Sequence, residues 1–215
     1  MLTWDDDHLV LIDTGFPGQI SDFVSAIQHA GFSPEKLTHI VLTHQDIDHI
    51  GCAAELLKIA PNAIVLAHED EAQYIDGNKT PLKLAKLLDN YNNLTAEQKA
   101  ASAQMKAGYA KCKVSIEKTL TDKEILPVCG GIEVIHTPGH TPGHVSLFLC
   151  ESGILVSGDA LNITGGELTG ANPDYTEDLE LAGRSMKKAL SYPYKAVVTY
   201  HGGHLKRFHP PEFRQ

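Results

Sequence analysis

The stretch Thr43-His44-Gln45-Asp46-Ile47-Asp48-His49-Ile50-Gly51 places four side chains able to ligate a metal, His44, Asp46, Asp48 and His49, within six residues. It follows the apolar run Ile40-Val41-Leu42, which predicts a strand whose end delivers imidazoles and carboxylates together at a sheet edge. Nitrogen and oxygen donors of this kind suit zinc, manganese or iron. Three later segments repeat the theme: His136-Thr137-Pro138-Gly139-His140-Thr141-Pro142-Gly143-His144, then Ser157-Gly158-Asp159, then Tyr200-His201-Gly202-Gly203-His204. Each borders an apolar run, at 132–135, 145–149, 154–156 and 196–198. Several strand ends offering His or Asp point to a metal centre gathered from distant parts of the chain. Competing chemistries are absent from the sequence. Ser157 runs directly into Gly158-Asp159 and forms no Gly-x-Ser-x-Gly elbow, and no glycine-rich stretch carries a Walker lysine followed by Ser or Thr.

The elements that must hold these groups alternate between strand and helix. A strand is predicted over His8–Asp13, closed by a turn at Gly15-Phe16-Pro17-Gly18. Ile20, Phe23, Val24 and Ile27 recur at helical spacing up to a stop at Gly31. Thr38–Thr43 is the strand feeding the metal loop, Cys52–Ala60 a short helix ended by Pro61, and Ala63–Ala67 another strand. Val145–Leu149 and Ile154–Val156 read as a hairpin that presents Asp159, with Cys150 read as a strand residue. Asp178–Leu190 reads as a helix and Ala196–Thr199 as a last strand. Asn162 to Tyr175, with Gly165, Gly166 and Gly170, reads as a loop, either plain surface or a flexible rim of the cleft. The class is α/β.

Residues 69–123 read as a helical insertion in a single domain spanning 1–215, with helical runs at Pro81–Asn90 and Thr95–Lys111. Leu82, Ala85, Leu88 and Tyr91 share one face, and Met105, Tyr109 and Cys112 another; such faces are more often packing than ligand pocket.

Composition narrows the partners. A net charge of -9 argues against a nucleic-acid surface, and the lysines between 79 and 123 are interspersed with acids, as on a solvated helix face. The expected partner is a small-molecule substrate, with neither nucleic acid nor membrane. The four cysteines, 52, 112, 129 and 150, form no Cys-x-x-Cys pair and are read as reduced. The first residues have no basic or apolar leader pattern and no apolar run is long enough to span a bilayer, so a cytoplasmic location is expected. Of the twelve histidines, His8, His29 and His209 read as surface or terminal residues and His39 as part of a strand.

The ordered set of motifs resembles the metallo-β-lactamase superfamily of metallohydrolases over nearly the whole chain. The resemblance implies a four-layer αββα sandwich and a site for two divalent ions, zinc first, with manganese or iron as alternatives. Carried over position by position, it assigns His44, Asp46 and His140 to one ion, Asp48, His49 and His201 to the other, and Asp159 to a bridge between them. Leu11-Ile12-Asp13-Thr14-Gly15 also matches, and implies that Asp13 supports the metal loop without binding metal. His144 is expected to orient a ligand or touch substrate, and His204 is a rival to His201. In related lactonases and glyoxalases, helices placed like those of the insertion roof the active site. Family members usually begin with additional strands before the Asp13 segment, so an edge strand is expected to be missing here.

Asp46 departs from the family pattern, since most members carry histidine there. Three carboxylates, Asp46, Asp48 and Asp159, favour harder ions, or leave the first position weak. The chemistry implied is attack by a metal-bridging hydroxide on a small ester, lactone, thioester or phosphoester, with Asp48 and Asp159 as catalytic carboxylates. The alternatives are a diiron redox enzyme, suggested by the carboxylate at 46, and a single-metal binding protein without turnover.

Overall fold

A computed structural model describes residues 1–206; His209 lies outside them. The chain forms two compact units, Met1–Leu120 and the segment from Thr121 onward. Among the described residues no helix is long and apolar enough to cross a membrane.

The first unit runs β1 (Leu2–Trp4), β2 (Leu9–Ile12), α1 (Ile20–His29), β3 (His39–Val41), α2 (Ile47–Ile50), α3 (Ala53–Ile59), β4 (Ile64–His68), α4 (Glu69–Ile75), α5 (Leu82–Asp89), α6 (Ala96–Cys112) and β5 (Lys118–Leu120). Its five strands lie in the order β1-β2-β3-β4-β5, parallel except for the antiparallel β1–β2 edge. Parallel strands covered on both faces read as unbroken apolar runs, as Leu9-Val10-Leu11-Ile12 does, all four buried. Ile12 stands opposite Val41, so the chain leaves β2 and β3 side by side, bringing Asp13 beside the Thr43 loop. Apolar residues of α1, α3 and α6, among them Ile27, Leu56 and Tyr109, pack with Ile40, Leu42 and Val65 of the sheet region.

Three expectations shift in this unit. Leu2–Trp4 supplies an edge strand, too short at three residues to show a periodicity. Lys118–Leu120, taken as part of the helical insertion, is the fifth strand of the sheet. On α5 the buried residue is Leu84, not a member of the expected Leu82, Ala85, Leu88, Tyr91 face, while Tyr109 and Cys112 of α6 are buried as packing residues. Burial pushes the Cys112 thiol up to about 12.

The second unit contains β6 (Ile125–Leu126), β7 (Ile132–His136), β8 (Val145–Leu149), β9 (Ile154–Val156), β10 (Leu161–Thr164), β11 (Glu167–Gly170), α7 (Leu179–Leu190), β12 (Ala196–Thr199) and β13 (Gly203–Lys206). Six strands form a sheet in the order β13-β12-β9-β8-β7-β6. All neighbours are antiparallel except β9 and β12, whose parallel register sets Val156 against Val198. The exits from β9 and β12 therefore share one sheet edge with the β7–β8 connection, because His136 faces Val145 and Leu147 faces Val156. Helix α7 is capped by Asp178, whose carboxylate accepts from the Leu181 amide at 2.9 Å, and covers Phe148, Leu155 and Val197 with Met186 and Ala189.

Here the expected loop over Asn162–Tyr175 is largely the hairpin β10–β11. Gly165 and Gly166 both have positive φ, 62° and 84°, which a two-residue primed turn requires. The strand at 196–199 is followed by a further one, β13, after a turn in which Gly202 has φ 107°. Cys150 is exposed in the turn after β8, not within the strand.

Candidate metal centre

In the first unit the donors are held by a clasp of backbone and carboxylate. Asp13 follows β2 in a left-handed conformation, φ 59°, which turns its side chain toward the 43–49 loop. Its Oδ1 accepts from the Thr43 amide at 2.8 Å, and its Oδ2 lies 2.9 Å from both Thr43 Oγ1 and His49 Nδ1. A carboxylate on Nδ1 fixes the proton there and leaves Nε2 as the donor atom of His49. The loop is closed from the other side. Thr14 Oγ1 donates to the His49 carbonyl at 2.9 Å, and the Gly51 amide to the Gly15 carbonyl at 2.8 Å. A Cβ on Gly51 would fall 2.2 Å from that carbonyl oxygen, so only glycine lets α2 approach so closely.

Within this clasp the expected ligands converge in pairs. His44 Nε2 stands 3.1 Å from Asp46 Oδ2, and His49 Nε2 stands 3.7 Å from Asp48 Oδ2. His44 and His49 are fully buried, whereas the Asp48 side chain keeps 17% exposure.

The second unit presents its candidate donors at strand ends. Pro138-Gly139-His140 is strapped to the start of α7: the Asp178 amide donates to the Gly139 carbonyl at 2.9 Å, and Ser185 Oγ to the Pro138 carbonyl at 2.6 Å. Gly139 has φ 127°, and a Cβ there would lie 2.2 Å from the Ala182 nitrogen. Asp159 follows β9 and His201 follows β12. One oxygen of Asp159, Oδ2, is 3.5 Å from His140 Nε2 and 3.5 Å from His201 Nε2. His144 holds this carboxylate's backbone: its Nε2 accepts from the Asp159 amide at 3.0 Å, and its Nδ1 pairs with Thr137 Oγ1 at 2.9 Å. Both ring nitrogens of His144 are thus engaged, and one of them holds the backbone of Asp159. His204 lies on β13, exposed, with its Cα opposite Val198.

These separations fit metal ligation. Two donors each about 2.0–2.2 Å from one ion, at angles between about 90° and 110°, lie about 3–3.5 Å apart. The His44–Asp46 pair and both Asp159 contacts fall within or at that range, and Asp48–His49 just beyond it. Histidine and carboxylate without thiolate is a donor set for zinc, manganese or iron.

The parts played here by Lys83, Gln45, Glu71 and Tyr109 were invisible in the sequence. The Lys83 ammonium of α5 pairs with Asp46 Oδ2. Gln45, an unassigned position inside the motif, is gripped by Glu71 Oε2, which accepts from its amide at 2.8 Å and its Nε2 at 2.9 Å. Gln45 Oε1 in turn accepts from the Leu82 amide at 2.8 Å. Helix α6 packs against α2, and there burial, with the Asp46 and Asp48 carboxylates next, pushes the Tyr109 hydroxyl well above its ordinary range. Tyr109 also lines a cavity of about 290 Å³ with Ile50, Ile75, Leu84 and Leu88. No local pattern could have shown these contacts, because all join segments some 26 or more positions apart.

Comparison with known proteins agrees with the geometry. The chain is similar to the probable metallo-hydrolase YflN of Bacillus subtilis (strain 168), 29% identical over 211 residues that cover 90% of this chain and 75% of that protein. It is also similar to an N-acyl homoserine lactonase of Bacillus cereus, 26% identical over 220 residues, 91% of this chain and 76% of the other. Among solved structures, a metallo-beta-lactamase family protein from Thermus thermophilus superposes with a TM-score of 0.71 at 21% identity, covering 95% of this chain and 68% of that one, a likeness of fold. Residues 1–201 match the metallo-beta-lactamase superfamily as a whole, and the chain belongs to that superfamily.

Proposed function

We propose that this chain is a metal-dependent hydrolase of a small ester, lactone, thioester or phosphoester, working with two divalent ions. The observation that carries the reading is Asp159, one of whose oxygens stands 3.5 Å from the Nε2 of both His140 and His201, so that this carboxylate would be the group able to serve two ions. By motif order His44, Asp46 and His140 would hold the first ion, and Asp48, His49 and His201 the second. Such ions, when bound, supply a water of lowered pKa and a Lewis acid for the substrate's carbonyl or phosphoryl oxygen. Zinc is the first expectation, with manganese or iron as alternatives.

The chain's own groups do the rest. Asp13 sets the tautomer of His49, and His144 sets the backbone of Asp159. Asp48 is the most exposed of the three ligand carboxylates, at 17% against 3% for Asp46 and 10% for Asp159. It is therefore the one placed to take a proton from the attacking water and release it to solvent. Similarity to a lactonase supports the ester and lactone end of the substrate range. The net charge of -9 supports a small-molecule substrate over nucleic acid, and a cytoplasmic setting completes the reading.

The test is elemental analysis of protein purified without chelators, followed by a panel of esters, lactones, thioesters and phosphodiesters. Two ions per chain, with hydrolysis lost on chelation and restored by metal, would support the proposal. Metal-free protein, or metal-loaded protein inert toward every class, would overturn it. A second reading, one firmly held ion, is favoured by the Lys83 ammonium on Asp46.

A further inference from the structure

We infer that Lys83 is a built-in counter-cation for Asp46 that makes the first metal position the weaker and more exchangeable of the two. The inference rests on the dinuclear reading above and adds a cause for the asymmetry. Lys83 Nζ contacts Asp46 Oδ2, the same oxygen that lies 3.1 Å from His44 Nε2 and would therefore face the first ion. The Asp46 side chain is 3% exposed and that of Lys83 22%. A carboxylate so far removed from water needs a compensating charge, and breaking such a pair leaves it uncompensated.

The lysine is held in place by the fold. Glu71 grips Gln45, and Gln45 accepts from the Leu82 amide, so the first turn of α5 is tied to the metal loop at the residue beside Lys83. Pro81, buried, sets the entry to that helix. This is unlike a long surface side chain that visits an acid transiently and contributes little. Asp46 thus already has a cation on its inward oxygen. A divalent ion arriving at the same oxygen must share it with the ammonium at close range or displace it, and either lowers the affinity of that position. At the second position His49 is instead backed by the Asp13 carboxylate, which strengthens it as a donor. The two positions are therefore tuned in opposite directions by the residues behind them.

The test is calorimetric titration of metal-free, full-length protein with Zn²⁺ and with Mn²⁺, on the wild type, Lys83→Met, Lys83→Arg and Asp46→Ala, with circular dichroism confirming the fold. The wild type should show one tight and one weak step. Lys83→Met should tighten the weak step about tenfold or more, the size expected for removing a unit charge about 4 Å from a divalent ion even at water-like dielectric. The tight step should stay put, Lys83→Arg should retain the weak step, and Asp46→Ala should lose it. A wild type that takes one ion and gains a second on Lys83→Met is the same result in stronger form. Should Lys83→Met not fold, Lys83→Gln removes the same charge. A weak step unchanged or weakened without the ammonium overturns the inference while leaving the dinuclear reading intact. A wild type that binds no ion overturns both.

Discussion

The two units present candidate ligands by opposite strategies. The first puts four donors into six residues of one loop and a single-turn helix, and fixes them with one carboxylate, Asp13, reached from the neighbouring parallel strand. The second draws His140, Asp159 and His201 from three separate strand ends that meet because β7–β8, β9 and β12 open on the same sheet edge. Burial does not follow that division: His44, His49, His140 and Asp159 are all buried, whereas the His201 side chain is 51% exposed. A contiguous motif can be preorganised by nearby contacts, but a dispersed one exists only once the whole sheet has formed, so its geometry depends on long-range order. The first half is specified by spacing and the second by topology.

The strongest way to break that comparison is at Asp159, the carboxylate proposed to be shared by two ions. Asp159→Ala should lower turnover by at least about a thousandfold, with loss of bound metal seen by elemental analysis. Activity near the wild type would remove Asp159, and with it the bridging geometry, from the site. The next effects concern the fold that each half requires. Gly51→Ala and Gly139→Ala each set a methyl 2.2 Å from backbone atoms, of Gly15 in one case and Ala182 in the other. Each should cost about 3 kcal/mol and lower the melting temperature by about 10 °C. Thermal melts with little change in either variant would mean the backbone relaxes and the close approach is not obligatory. Smaller still are the groups behind the ligands. Asp13→Ala and His144→Ala should each weaken metal binding by about 10–100-fold without removing a ligand. A stable Asp13→Ala protein with undiminished affinity would show that the local half needs no support from β2.

How legible the molecule was in its sequence follows the same line. The β2, β3, β4, β8, β9 and α1 segments were readable because the buried strands are mostly apolar and α1 repeats at helical spacing. The candidate donors were visible because each motif keeps its His and Asp residues within a few positions. Leu2–Trp4 and Lys118–Leu120 were not, because Leu-Thr-Trp and Lys-Thr-Leu are broken by polar residues and show no apolar run. The β10–β11 hairpin left a signal, the Gly165-Gly166 pair between Leu161, Ile163 and Leu168, which the loop reading passed over. Lys83 left none. Its charge resembles every other lysine on the insertion, and only the Gln45 tie between α5 and the metal loop gives it a role.

The smallest expected effect sharpens the comparison at its most exposed point. His201 and His204 are three positions apart, both flanked by glycine, and sequence alone leaves them as rivals. The structure separates them by register. His201 lies in the turn after β12 with Nε2 3.5 Å from Asp159 Oδ2, while His204 is an exposed residue of β13. His201→Ala should weaken one ion by about tenfold, less than for a buried ligand, because a half-exposed imidazole is the donor most easily replaced by water. His204→Ala should leave both binding steps and the melting curve where they are. Titration of the two variants side by side decides the matter. Equal losses would mean the turn can present either histidine, and that topology fixes the edge of the sheet but not the ligand itself. A loss confined to His204→Ala would mean that the ligand is His204, and would remove the 3.5 Å spacing to His201 on which the proposed bridging role of Asp159 rests.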